Sequence, residues 1–396
     1  MRVVLLTAAG PWSGAEVHTI HLASALKERG HDVVIVELGR RRYTEFPQLF
    51  PCPVLQLDLG SVTSDAATLN ALGFRSWVRH FGSLAGDVGI LVKGNFELGS
   101  LALEAAARLR FRRYLVIEHI HAPLSSRATG RHFSGLIQGL GLWWFRQKFS
   151  GYLRSVFPHK VICVSHAVAT TLRNDYSYPP SKLVVVHSGV DSSLFVPNPL
   201  LRNLAREGWG IPKTSFVFGT LGRLSPMKNH GQLINAFSQL SKSNGGPDMR
   251  LVIVGDGPLR SSLEELVDST GVRERVVFGG FSGTPERILP AFDVFCFPST
   301  IGESLGIALL EAMSCGCPPI AADTGGVPEI LNDPRLGWLI RSGDESALLS
   351  AMRIATELDI KTLQQVGANA RERVLSNFEA IDRWGEFVAV IEAAAL

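Results

Sequence analysis

The chain has 396 residues, 46% of them hydrophobic and 19% charged, which excludes a disordered or fibrous protein and fits two or three domains of ordinary size. Its 39 glycines and 21 prolines fall between apolar runs without a strict period, so collagen-like and low-complexity readings fail too. The net charge of +3 is too small to argue for nucleic-acid binding, yet it is unevenly spread: residues 1–200 carry 21 basic against 13 acidic side chains, and residues 201–396 carry 18 against 23.

The opening Met1-Arg-Val-Val-Leu-Leu-Thr has one basic residue and a short apolar run, too little for a secretory signal, and reads as a buried first strand. Further Val/Ile/Leu runs at 33–37, 88–92, 114–118, 161–165 and 183–187 alternate with helix-period stretches such as 14–29 and 97–109. Continuous apolar strands imply burial on both faces, as in a parallel sheet covered by helices. The alternation starts again after Pro197, with strands expected near 216–222, 251–254, 276–278, 293–297 and 318–322. The fold class is therefore α/β, with two doubly wound parallel-sheet domains facing a cleft that should hold the ligand. The domains are set at 1–197 and 198–378, with residues 197–212 as the boundary. A final helix over 379–395 has no following strand and can pack on either domain.

Between residues 105 and 160 there are ten basic residues and a single acidic one, Glu118, interleaved with Phe111, Tyr114, Trp143, Trp144 and Phe145. The stretch 131–160 reads either as an interfacial helix facing anionic lipid or as a packed helix leading into the strand at 161. Its longest uncharged run, 132–145, falls well short of the roughly 20 residues of a membrane span. The five cysteines are odd in number and form no C-x-x-C pair, which argues for reduced, mostly buried thiols and a cytoplasmic protein.

The chemistry concentrates in a few loops. Gly302-Glu303-Ser304-Leu305-Gly306 runs into a helical pattern at 307–313. Glu303 in the turn and Glu311 eight residues on can both face a ligand, while the free amides of Leu305 and Gly306 point at an anion. The alternative is that Thr300-x-x-Glu303 is only a capping box and Glu311 a solvated helix residue. Gly222-Arg223-Leu-Ser-Pro226-Met-Lys228 places two cations at the end of a strand, where they suit a diphosphate. In the first half, Gly14 lets a ligand approach the backbone, and Ser13 with Glu16 fits a capping box or a ligand contact. Ile117-Glu118-His119-Ile-His121 offers titratable groups at a strand's carboxyl end. No complete G-x-G-x-x-G, Walker sequence, G-x-S-x-G elbow or D-x-D pair is present, so no cofactor and no metal are expected.

Taken together, Gly222-Arg-Leu-x-x-x-Lys228, Glu303-x7-Glu311, Gly325-Gly-x-Pro-Glu329, Val254-Gly-Asp-Gly-Pro258 and Gly14-Ala-Glu16 resemble the family-4 retaining glycosyltransferases of the GT-B fold. Val161-Ile-Cys-Val-Ser165 is similar to that family's strand-to-helix serine. Ser188-Gly-Val-Asp191 is similar to its Asn-Gly-Val-Asp segment, with serine in place of asparagine. The resemblance implies that Arg223 and Lys228 neutralise a nucleotide diphosphate, that Glu303 contacts the donor sugar and that Glu311 holds the ribose hydroxyls. It also implies that amides near Gly14, Ser304, Leu305 and Gly306 approach phosphates and sugar, and that His119 lies beside the reacting sugar. By the same resemblance, backbone around Val276, Phe278 and Gly279 is expected to read the nucleobase and the final helix to cross back onto the first domain, while Glu16, His121 and Ser165 are expected on the acceptor side.

The activity expected is metal-independent, retaining transfer of a sugar from a nucleoside-diphosphate sugar to an acceptor hydroxyl in glycan, polysaccharide or glycolipid assembly. Partners are the nucleotide sugar and a glycan or lipid-linked acceptor, with a peripheral contact to anionic membrane and no nucleic acid. Two other readings stay open: a sugar-nucleotide epimerase of the same architecture, and a non-catalytic nucleotide-sugar-binding module.

Overall fold

The structure, a computed structural model, describes residues 1–7, 14–38, 50–57, 59, 69, 71–93, 100–119, 142–242, 248–301 and 303–396, excluding the side chains of 14–16, 142–144 and 146. The chain divides into two compact units, Met1–Ser188 with Asp382–Leu396 and Gly189–Ile381.

In the first unit, β1 (Arg2–Thr7), β2 (Asp32–Leu38), β3 (Val54–Leu57), β4 (Val88–Lys93), β5 (Arg113–Glu118), β6 (Lys160–Cys163) and β7 (Leu183–Val185) form a seven-stranded sheet in the order 3-2-1-4-5-6-7. Every pair is parallel. Helices α1 (Gly14–Glu28), α2 (Phe74–Phe81), α3 (Leu101–Arg110), α4 (Leu142–Ser155) and α5 (His166–Tyr176) accompany it. In β1 every residue from Val3 to Thr7 is buried, as a strand covered on both faces requires. Ser100 and Ser165 cap α3 and α5 by accepting from the amides three residues on, each cap contributing about 1 kcal/mol.

The second unit repeats the plan. It contains α6 (Pro199–Gly208), β8 (Phe216–Leu221), α7 (His230–Ser241), β9 (Met249–Val254), α8 (Arg260–Thr270), β10 (Val276–Gly280) and β11 (Val294–Phe297). There follow α9 (Ile307–Ser314), β12 (Pro319–Asp323), α10 (Val327–Ile330), β13 (Trp338–Arg341), α11 (Glu345–Glu357) and α12 (Ile360–Asn377). Its six parallel strands run in the order 10-9-8-11-12-13. Side chains alternate along β11 between two core layers: Val294 and Cys296 join Phe218, Leu251 and Ile253, whereas Phe295 and Phe297 join Val217, Val252 and Leu309.

The two doubly wound sheets are those the apolar runs predict. Two strands lie outside the expected ones: β3 (Val-Leu-Gln-Leu) and β13 (Trp-Leu-Ile-Arg) are edge strands with half their residues exposed, and their apolar runs of two and three residues are cut short by a polar side chain. The unit boundary falls at 188/189, ahead of the 197–212 stretch. Beyond it the chain is already held by the second unit: Val190 pairs with Glu379, and the carbonyl of buried Phe195 accepts from Ser314 Oγ (2.7 Å) and Arg371 Nη1 (3.0 Å). The last helix, α13 (Ala380–Ala395), belongs to the first unit from Asp382 onward. There Glu392 meets His31 at 2.9 Å and the carbonyl of Ala394 accepts from Arg113 Nε at 2.8 Å.

The cysteines are free, with Cys163, Cys296, Cys315 and Cys317 buried and Cys52 partly so. Among the described residues no helix is long and apolar enough to cross a membrane.

Candidate functional site

In each sheet the strand order reverses at one point, between β1 and β4 in the first unit and between β8 and β11 in the second. Loops leaving the carboxyl ends of strands at such a reversal diverge to opposite faces and open a crevice. In the second unit the two loops are the Gly222–Lys228 segment and the segment leading to Glu303.

The first loop is positioned by backbone. Gly222 N donates to Val254 O (3.0 Å) and Leu224 N to Asp256 O (2.9 Å). Gly255, at φ +136°, lies directly beneath, where a Cβ would come within 1.9 Å of the Gly222 carbonyl oxygen. The Gly-Asp-Gly segment after β9 thus sets where Arg223 leaves the sheet. Arg223 itself is exposed and makes no ion pair among the described residues. A turn at Pro226–Lys228 follows, and Asn229, left-handed at φ 53°, starts α7. The Lys228 stem lies over Gly222, where a Cβ would stand 3.5 Å from its Cε, and its ammonium sits 5.0 Å from the centroid of the Phe297 ring.

Across the reversal, the Glu303 carboxylate is buried and forms an ion pair with Lys228 Nζ. Its backbone is pinned as well: Gly326 N donates to the Glu303 carbonyl at 3.3 Å. Gly325, at φ +56°, fits under the same oxygen only because it has no Cβ, which would stand 1.7 Å away. This explains the Gly-Gly-x-Pro-Glu segment in physical terms. The capping box Thr300-x-x-Glu303 does not form, because the carboxylate faces Lys228 and α9 begins only at Ile307, behind a left-handed Gly306. Ser304 is partly exposed. The amides of Leu305 and Gly306 make no hydrogen bond among the described residues, as is usual for the first N–H groups of a helix. Gly302 lies outside the described residues.

Glu311 stands on the second turn of α9, partly buried, and burial with nearby Glu286 pushes its carboxyl up to about 8. It is therefore neutral at pH 7 in this structure. On β10, Val276 is buried and the Phe278 ring carries the Arg260 guanidinium at 4.6 Å. The β9–β10 register slips between Phe278 and Gly280, leaving Gly279 as a bulge whose Cβ would meet Val254 at 3.2 Å and Trp209 at 3.6 Å.

In the first unit, Gly14 opens α1, and the loop before it, the Glu16 side chain and His121 lie outside the described residues. His119 follows β5; its amide donates to Lys93 O at 3.1 Å, its ring is buried, and among the described residues neither ring nitrogen has a partner within normal hydrogen-bond geometry. Burial lowers its imidazole to about 4, so it is neutral at physiological pH. Ser165 is fully buried and its hydroxyl accepts from Val168 N at 3.2 Å, capping α5.

Two features of this unit escape sequence reasoning. His18, on the inner face of α1, packs edge-on against His119 and also against Trp384 and Phe387 of α13. Its Nδ1 lies 3.4 Å from Ser188 Oγ, which gives the serine at this position a partner that a helical periodicity alone could not name. Beneath His119, Lys93 is fully buried between Glu104 Oε1 (2.8 Å) and Glu118 Oε1 (2.9 Å), with Arg154 Nε 3.5 Å from Glu104. Burial raises the Glu118 carboxyl against the pull of Lys93 and Arg154. The only hint in the sequence is a charge ending each of two adjacent apolar runs.

Two family models match most of the chain in succession: Glycosyltransferase Family 4 over residues 12–194 and Glycosyl transferases group 1 over residues 202–373. The chain belongs to glycosyltransferase family 4. Two curated relatives agree with that membership. The UDP-Gal:alpha-D-GlcNAc-diphosphoundecaprenol alpha-1,3-galactosyltransferase of Escherichia coli is 30% identical over 57% of this chain and 57% of its own length. The GDP-mannose-dependent alpha-(1-6)-phosphatidylinositol monomannoside mannosyltransferase of Mycolicibacterium smegmatis is 35% identical over 51% and 54%. The chain thus spans little more than half the length of the curated relatives it matches. Among solved structures, Anabaena Alr3699/HepE in complex with UDP-glucose superposes with a TM-score of 0.78 at 22% identity, over 99% of this family-4 chain and 100% of that one. At that identity the likeness is one of fold, and the fold is GT-B.

Proposed function

We propose that this family-4 chain is a glycosyltransferase that moves a sugar from a nucleoside-diphosphate sugar to an acceptor hydroxyl, with retention at the anomeric carbon and without a metal. The observation that carries the reading is the Lys228–Glu303 ion pair at the β8/β11 reversal, on the same loops as exposed Arg223 and as the amides of Leu305 and Gly306, which make no hydrogen bond among the described residues.

As the glycosidic bond breaks, charge builds on the leaving diphosphate. Fixed donors aimed at that charge are worth roughly 3 kcal/mol each. Arg223, Lys228 and the α9 amides supply them, Glu303 accepts from sugar hydroxyls, and Glu311 accepts from the ribose diol. The bulged β10 edge around Val276, Phe278 and Gly279 offers backbone groups to a base. His119, held neutral by burial, is the first unit's candidate for a hydrogen bond to the sugar. The route proposed is front-face attack, the departing phosphate taking the acceptor's proton. Relatives named for UDP-Gal and GDP-mannose, and a fold neighbour holding UDP-glucose, support a nucleotide-sugar donor.

The acceptor reading is a lipid-linked glycan, handled at the cytoplasmic face of a membrane. The names of both relatives carry lipid-linked acceptors. Phe145, Phe149 and Tyr152 form an exposed stripe along one side of α4, and exposed Val156 follows just beyond its end. The opposite side closes on α5, where a Cβ at Gly151 would come within 2.3 Å of Tyr176 O. Such a stripe in a basic region suits an anionic bilayer surface. If vesicles of anionic lipid fail to retain the protein at low salt, or retain a Phe145→Ser/Phe149→Ser variant equally well, the membrane contact is wrong.

The deciding experiment incubates the protein with UDP-, GDP- and ADP-sugars, with and without lipid-linked acceptors, and analyses the products. Transfer only when acceptor is present supports the reading; turnover of the nucleotide sugar into its epimer, or no turnover at all, overturns it.

A further inference from the structure

The Lys228–Glu303 ion pair raises a question that a diphosphate site does not answer by itself: why a carboxylate sits on the cation meant for phosphate. Glu303 is 9% exposed at its side chain and Lys228 23%. Both backbones are held in place, Glu303 by Gly325 and Gly326 and Lys228 by the 226–228 turn, so only side-chain rotation is left to exchange partners. Arg223, on the same loop as Lys228, is exposed and makes no ion pair among the described residues. A phosphate arriving at Lys228 therefore meets a fixed negative charge, and like charges in a partly desolvated site repel far more than in water.

We propose that Glu303 is an internal counter-ion that competes with the diphosphate for Lys228, so that the site holds a free nucleoside diphosphate weakly and a nucleotide sugar well. This rests on the donor reading given above. The ammonium has three N–H donors and can serve a carboxylate and a phosphate together. With a sugar attached, its hydroxyls donate to the Glu303 carboxylate, which then gains partners and no longer depends on the lysine. Once the sugar has left, those donors are gone, the carboxylate turns back to Lys228, and the spent diphosphate loses part of its grip. Glu303 thereby sets specificity between substrate and product, and hastens product release.

The test measures dissociation constants by calorimetry for UDP, GDP and ADP and for their glucose conjugates, with wild type, Glu303→Gln, Lys228→Met and the double variant. Glu303→Gln is expected to bind the free diphosphate about three- to tenfold tighter and the nucleotide sugar no tighter. That gain is expected to vanish when Lys228 is already methionine. Glu303→Asp, with a shorter reach to Lys228, gives the same direction to a smaller extent and serves if the glutamine variant unfolds. Unchanged or weaker diphosphate binding in a variant with wild-type thermal unfolding overturns the exchange, as does an equal gain in the Lys228→Met background. If wild type binds none of the nucleotides, the donor reading itself falls and takes this inference with it.

Discussion

His18 and His119 meet edge to face with ring centroids 4.2 Å apart, and both are held neutral by burial. Each imidazole lies on a loop or helix that leaves the carboxyl edge of the first sheet, so the pair ties α1 to the end of β5, and Trp384 and Phe387 of the returning helix close over it.

Neutral buried histidines give stability a pH dependence whose sign is determinate. His119 and His230 each have a folded-state value of about 4 against an ordinary 6.5, so the unfolded chain binds more protons between those limits. Stability is fully present above about 6.5 and falls as the pH drops toward 4, by up to about 1.4 kcal/mol per pH unit for each group. Urea unfolding at pH 7, 6 and 5 checks it. His230→Phe should flatten the decline, and an equal slope in that variant would refute the assignment to His230.

Arg223→Ala should weaken nucleoside-diphosphate binding about tenfold or more and reduce its salt dependence, while thermal unfolding stays within 1–2 °C of wild type. The side chain is exposed and has no ion-pair partner among the described residues, so its loss leaves no buried charge behind. A clear drop in stability with unchanged affinity would assign it to structure instead.

Gly325→Ala should abolish most transfer activity without touching a ligand contact. The residue is left-handed and its Cβ would strike the Glu303 carbonyl, so either the α10 start or Glu303 has to move. A loss of about 2 kcal/mol in stability with a fall in kcat of at least tenfold is expected. Wild-type kinetics in this variant would show that Glu303 placement does not matter.

Glu311, at about 8, should make nucleotide binding release protons at pH 7. Ribose hydroxyls that donate to the carboxylate favour its charged form, so binding lowers its value and affinity rises as pH goes from 7 toward 9. Calorimetry in buffers of different ionisation enthalpy reads the release directly. Glu311→Gln should remove it; proton release unchanged in that variant would point to another group.

Lys93→Met should destabilise the protein by about 3–5 kcal/mol, because Glu104 and Glu118 lose the ammonium between them in a fully buried setting. Adding Glu118→Gln should recover part of the loss. An unfolding free energy equal to wild type in the single variant would mean that the cluster is not charged as drawn.

Much of this protein was already written in its chain order. The apolar runs determined the central strands of both sheets, since residues buried on two faces leave no polar alternation to misread, and the glycine-flanked cations and Glu303 marked the loops that meet at the β8/β11 reversal. What the linear order could not carry was anything set by distance through space. The edge strands β3 and β13 exist because a neighbour offers them hydrogen bonds, the Lys228–Glu303 pair joins residues 75 apart, and Gly325 matters only for the carbonyl lying above it. Ser165 became a helix cap, and the charges of Lys93, Glu104 and Glu118 became one buried cluster, for the same reason: burial and partnership are properties of the folded packing, where desolvation makes each polar group depend on neighbours that sequence spacing does not name.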